Sequence, residues 1–139
     1  MMAWSTLQIL INLGIIGIMY APIHYFIISP YLNYFDFRDE LTRSGMKISG
    51  IILNTNLPQA EYKNAFEEIN IWLGEINVIK NRLMFNNHLS RFGIPSKNEI
   101  DEAIKCAAFI RNALGRQDHI VDIFHSYNRL MEIFNINQN

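Results

Sequence analysis

The first acidic or basic side chain in the chain is Asp36, so residues 1–35 carry no Asp, Glu, Lys or Arg. Within that stretch the run Leu7 to Ile28, LQILINLGIIGIMYAPIHYFII, has the length a helix needs to cross a bilayer core of roughly 30 Å. Trp4 precedes it, and Tyr25, Tyr31 and Tyr34 lie near or beyond its far end, where interfacial aromatic belts belong. A cleaved signal peptide is the competing expectation, and a buried core helix a third. The former needs a basic start and a small-residue cleavage site, whereas Met1 to Thr6 has no Lys or Arg and Ala21-Pro22-Ile23 is a poor match. A membrane anchor is therefore expected, with the lipid bilayer as its first partner.

Basic residues near a span tend to stay on the cytoplasmic side, and Arg38, Arg43 and Lys47 all follow this one. The expected topology is a single pass through the cell membrane, N-terminus outside and C-terminal domain in the cytoplasm. Inside the span, Gly14, Gly17 and Ala21 fall on one helical face, where small side chains allow close helix approach. Glycine and alanine are also common in membrane helices for no such reason. Gln8 and Asn12 lie one turn apart on roughly the opposite side and seek hydrogen-bond partners in lipid. Contact with other transmembrane helices, in a homo- or hetero-oligomer, is expected in consequence. Pro22 removes one backbone donor and predicts a kink between Ile18 and Pro22. His24, within a turn or so of the cytoplasmic end, reaches headgroups or water more readily than it relays protons.

Ser29-Pro30 has the form of an N-cap followed by proline at the first helical position, so either a new helix starts there or the span continues with a second bend. Leu41, Gly45, Ile48 and Ile52 predict a helix to about Leu53, although Ile51-Ile52-Leu53 also suits a strand. Asn54-Thr55-Asn56 is a turn signal, and Pro58 opens the longest soluble helix. Its seam is Tyr62, Ala65, Ile69, Trp72, Ile76, Ile79 and Leu83, widened by Phe66, Leu73 and Met84, with Gly93 and Pro95 ending it. Ser96-Lys97-Asn98-Glu99 is a capping box, with Pro95 and Ile100 placed for a hydrophobic staple. The stripe Ile100, Ala103, Ile104, Ala107, Ile110 and Leu114 runs to Gly115, a C-terminal cap residue. A last helix from about Asp118 carries Ile120, Phe124, Tyr127, Met131 and Phe134. The expected fold class is all-α: one N-terminal transmembrane helix over residues 1–35, followed by a small antiparallel helical bundle over residues 36–139.

Signals for chemistry are sparse. Asp118, Asp122 and His125, with His119 beside them, have the spacing of divalent-metal ligands on one helix, but Asp118 also suits an N-cap and a solvated polar face explains them all, which is the expectation. Cys106 sits among alanines as a small core residue does, and as a single cysteine it offers neither a disulfide nor a cysteine-rich zinc site. His88 lies in the polar Asn86-Asn87-His88 segment. No phosphate-binding glycine loop or nucleophile elbow is present, and neither catalysis nor a cofactor is expected. A net charge of -1 without a basic stripe argues against nucleic acid as a partner. Trp72, Tyr62 and Ile69 mark a face that is either core or a docking surface for an unknown cytoplasmic protein. Two functions remain: a membrane-tethered interaction or structural subunit, and a small membrane-acting effector, toxin or exclusion protein whose span oligomerises.

Overall fold

The computed structural model describes residues 2–54, 56–83 and 86–136, and side chains from Ser5 onward. Thr55 of the predicted turn, Met84 of the predicted seam and the side chain of Trp4 lie outside that part. Every regular element among the described residues is helical, Ile51 to Leu53 included. Helix α1 spans Met2–Ile23, passes through a π-helical turn at His24–Ile28, and continues as α2, Ser29–Leu53. Helix α3 is Gln59–Arg82, α4 a single turn at Asn86–Leu89, α5 Lys97–Ala113 and α6 Ile120–Ile133.

At the junction the helix continues, as the second of the two alternatives has it, rather than starting anew. Ile28 has helical torsions (φ -71, ψ -52) and no side-chain cap, so Ser29 does not cap a new helix. Pro22 and Pro30 each lack a backbone N–H, and the wide turn sits between them, with Ser29 N–H reaching back to the His24 carbonyl. A π turn is one way a helix absorbs missing i→i+4 bonds without ending. One continuous helix therefore leads from the apolar segment into the bundle.

Helix α2 packs on α3 and α6, and α5 packs on the same two, closing a ring of four helices. Trp72 of α3 meets Ser44 of α2, and Tyr62 meets Asn54. Lys80 and Asn70 of α3 meet Asp101 and Arg111 of α5, and Tyr34 of α2 packs near Phe134 of α6. Along α2–α3 and α3–α5 one number rises as the other falls, and Gly45 of α2 lies near Tyr127 and Met131 while Tyr34 lies near Phe134, so these neighbouring helices run antiparallel. The core includes Leu41 and Ile48 from α2, Ile69, Trp72 and Ile76 from α3, Ile100 and Ile110 from α5, and Leu130 and Phe134 at the end of α6. Helix α5 contributes Ala103, Ala107 and Ala113 to the same core that holds Trp72 and Tyr127, a mix of small and large that lets packed helices interdigitate. The core also reaches back to Tyr34 and Pro30, so the segment read as anchor contributes its last residues to the bundle.

Packing is tight at Gly45, where an added side chain would have to displace the flexible end of Met131. A Cβ there would lie 2.8 Å from Met131 Cε and 3.0 Å from Tyr127 Oη, so α2 and α6 approach closely over it. Trp72, wholly buried, donates from Nε1 to Ser44 Oγ at 2.9 Å, while that hydroxyl donates to the Glu40 carbonyl at 3.0 Å.

Three local expectations need correction. Helix α3 ends at Arg82, well before Gly93, because Leu83 turns extended (ψ 113) and the chain re-forms only the short α4 and a 3₁₀ turn at Ser90–Phe92. The buried face of α6 is rotated from the predicted stripe: Ile123 and Leu130 are buried, whereas Ile120 and Phe124 are only half-buried. Phe66 is exposed, with the Arg111 guanidinium 5.9 Å from its ring centroid. The capping box forms as expected, Ser96 N–H donating to Glu99 Oε2 at 2.7 Å and Glu99 N–H to Ser96 Oγ at 3.4 Å. Gly115 adopts φ +83 just past α5, where a side chain would be strained.

Candidate functional site: the apolar helix and the bundle end that carries it

From Ser5 onward the side-chain surface of helix α1 is largely Leu, Ile, Met and Tyr, and none of it is covered. Its most apolar window of 18 residues has a mean hydropathy of 1.7 and is 0% buried. Ile18, near the middle, is 75% exposed. Length and composition are those of a helix able to cross a membrane. Gln8, Asn12 and Ala21 are exposed on it, and a Cβ added to Gly14 or Gly17 would meet nothing within 4 Å. The small-residue face is therefore open. His24 is half-buried, its ring 5.5 Å from that of Tyr20.

Of the other residues singled out by sequence, Trp72 and Ile69 are core, and Tyr62 is half-buried with its hydroxyl donating to the Asn54 carbonyl at 2.9 Å. His119 Nε2 lies 3.4 Å from Asp118 Oδ2 and its Nδ1 lies 3.5 Å from Asp122 Oδ2, while His125 stands exposed. No group of three or more His, Cys, Asp or Glu among the described residues is placed to hold a metal ion. His119 itself forms the N-terminal boundary of α6, with Asp118 in the 3₁₀ turn before it. Cys106 is half-buried, and burial, with Glu102 adding to it and Arg129 opposing, pushes its thiol above the usual range. Such a thiol is a poor nucleophile at neutral pH. His88 is exposed at the C-terminal side of the α4 turn.

Arg129 clamps Glu102 with two parallel hydrogen bonds, Nε to Oε1 at 2.8 Å and Nη2 to Oε2 at 3.0 Å, and reaches Glu132 with Nη1 at 2.8 Å. This hydrogen bonding holds the Glu102 carboxyl below its usual range. Its contribution to stability is thus present above the ordinary carboxylate range and fades as pH falls through the lowered value. The pair is largely exposed and ties α5 to α6 rather than forming a reaction centre.

The sequence does not reveal which residues gather where α1 leaves the bundle. The antiparallel ring returns the connection between α3 and α5 to that end. Gly93, at φ +82, accepts at its carbonyl from Tyr34 Oη at 3.4 Å and from Asn135 Nδ2 at 2.9 Å. Asn86, buried, donates from Nδ2 to the Pro95 carbonyl at 3.5 Å, and Lys97 N–H donates to Asn87 Oδ1 at 3.1 Å. The loop so held presents Phe92, 74% exposed, and beside it in sequence Arg91. Arg82 and Asn81, at the end of α3, face Tyr25, Phe26, Ser29 and Pro30 across a cleft of about 260 Å³. The one signal for this in the sequence is the order of the helices: with alternating directions, the second connection must lie at the end where α2 begins.

No protein-family model matches the chain, and no curated protein or solved structure is significantly similar to it.

Proposed function

We propose that this protein is a single-pass, membrane-tethered helical module that acts by association, holding its bundle at the cytoplasmic face to dock a protein partner or to complete a larger membrane complex. The observation that carries it is the 18-residue window of α1, apolar and 0% buried. A core helix of a soluble protein would bury such a surface, since leaving it in water forfeits roughly 25 cal/mol for each Å² of apolar area. Orientation is supported by Arg38, Arg43 and Lys47 after the span. A reporter fused after Asn139 is expected to read as cytoplasmic. Activity of a reporter that works only outside the cytoplasm would overturn the orientation and the cytoplasmic partner with it.

The second function, a membrane-acting effector that oligomerises through its span, is favoured by one observation, the open face at Gly14 and Gly17. A small-residue face lets backbones approach, and contacts between membrane helices are worth on the order of 1 kcal/mol. Gly17→Leu is therefore expected to lower crosslinked oligomer in membranes roughly fivefold, the equivalent of that energy, while Ile16→Leu, off the face, leaves it unchanged. Equal yields would make the glycines incidental and move any assembly to the bundle. Growth arrest with loss of membrane potential on expression favours the effector; specific co-purified proteins favour the docking module.

A further inference from the structure

We propose that the end of the bundle from which α1 emerges is a second membrane-binding surface, on which Phe92 enters the headgroup layer and Arg82, Arg91 and Lys97 hold anionic lipid headgroups. This rests on α1 spanning the bilayer, and adds that the bundle lies against the membrane instead of hanging free of it.

The helices set the height of the Phe92 loop. The Gly93 carbonyl meets the hydroxyl of Tyr34, and a helical side chain leans toward the N-terminus of its helix. Tyr34 follows Ile28, the last residue of the apolar run, by six positions, about 9 Å of helix. The headgroup layer on each side of a bilayer is roughly 5–8 Å thick. Phe92, one residue from Gly93, therefore stands at the depth of the headgroups while α1 crosses the core. Its support is rigid, because Gly93 is hydrogen-bonded to both α2 and the segment after α6. The continuous helix from α1 into α2 carries that height over to the bundle.

Charge points to the same surface. Arg82, Arg91 and Lys97 are exposed and form no ion pair among the described residues. Nearby carboxylates are engaged: Glu99 with the Ser96 backbone, Asp101 with Lys80, and Glu132 with Arg129. Asp36, exposed two residues past Tyr34 on α2, lines a separate cleft with Arg43 and Glu75 rather than the one that holds Arg82. The cleft between Tyr25, Phe26 and Arg82 pairs aromatic walls with a cation and with the amide of Asn81, a lining suited to a phosphate-bearing headgroup above its acyl chains. An acidic protein would match the charges, but only a lipid surface also explains an exposed phenylalanine in line with the edge of an apolar span.

The test places the full chain in nanodiscs of phosphatidylcholine, alone or mixed with phosphatidylglycerol, and compares wild type with Phe92→Trp in lipids brominated near the glycerol. The difference between the two chains isolates the new indole from Trp4 and Trp72. Expected is extra quenched, blue-shifted emission, stronger with phosphatidylglycerol, and a docked-to-undocked ratio that falls roughly fivefold for each of Arg82→Gln, Arg91→Gln and Lys97→Gln, the effect of one cation near an anionic surface. All four positions are exposed, and an unchanged near-ultraviolet circular dichroism spectrum certifies the fold. Emission from the Phe92→Trp indole that stays solvent-like in both discs, with the chain inside them, overturns this inference alone. Quenching that ignores phosphatidylglycerol and the three glutamines overturns the role of the cations. A chain that does not enter discs overturns the spanning helix beneath both.

Discussion

Trp72→Ala is expected to cost the bundle about 3–5 kcal/mol, the range for deleting a large buried aromatic. Small domains are stable by only about 5–15 kcal/mol, so the variant sits at or near the edge of unfolding. The mechanism is local. Trp72 is 1% exposed in the middle of α3, which packs between α2 and α5, and its indole donates to Ser44 of α2. Removing it leaves a cavity in the core and strands the Ser44 hydroxyl without its donor. Trp72→Phe keeps one aromatic ring and has the intermediate effect: the loss of the Nε1 to Ser44 Oγ bond costs about 1 kcal/mol, and the smaller ring adds to it. Chemical denaturation of the full chain in detergent, followed by near-ultraviolet circular dichroism, checks the order wild type, Trp72→Phe, Trp72→Ala. An alanine variant with the wild-type midpoint would mean that α2, α3 and α5 do not share this core.

Ile18→Arg is expected to have the largest effect on location. Ile18 lies near the middle of the apolar run and is 75% exposed, so in a membrane its side chain meets lipid. An arginine at the centre of a spanning helix costs about 2.5–3.5 kcal/mol on insertion scales, and the lost isoleucine adds a few tenths. The insertion equilibrium should shift by roughly a hundredfold or more. Met46→Arg is the matched control, because Met46 is 69% exposed but sits on α2 beside the bundle. Synthesis in the presence of membrane vesicles, with the integrated fraction measured, should show the Ile18→Arg chain depleted and the Met46→Arg chain unaffected. Equal depletion of both would point to general misfolding, and no depletion of Ile18→Arg would contradict a lipid-facing α1.

Features are legible in the sequence to the extent that short-range interactions fix them. The capping box at Ser96 and Glu99, the cap at Gly115 and the seam from Ala65 to Ile79 depend on residues within one or two turns, and each is found where the spacing puts it. Gly45 reads as a weak point in a helix until Met131 and Tyr127 are brought against it from α6. The face of α6 reads off centre because Ile120, Ile123, Phe124 and Tyr127 support two adjacent stripes, and only the positions of α2 and α5 choose between them. Helix α3 stops at Arg82 without proline or glycine at that point, so no local signal marks it. Pro22 and Pro30 warn of a disturbed helix, but whether it bends, breaks or widens into a π turn depends on how the next helix is anchored, and here α2 is held by its packing from Pro30 onward. For the candidate site, composition exposes the apolar segment, whereas Arg82 reaches Tyr25 and Phe26, and the loop of Phe92 reaches Tyr34, only through the antiparallel ring.

Residence of α1 in a membrane, on which the proposed function depends, is tested most directly by extracting membranes with alkaline carbonate. This treatment opens vesicles and strips proteins held at the surface by charge or by other proteins, but leaves those whose helices cross the lipid core. The full-length chain, α1 uncleaved, is expected to stay with the lipid pellet after carbonate and to be released only by detergent. Recovery in the carbonate supernatant, or of a shortened chain lacking the Leu7–Ile28 run, would contradict a membrane-spanning α1.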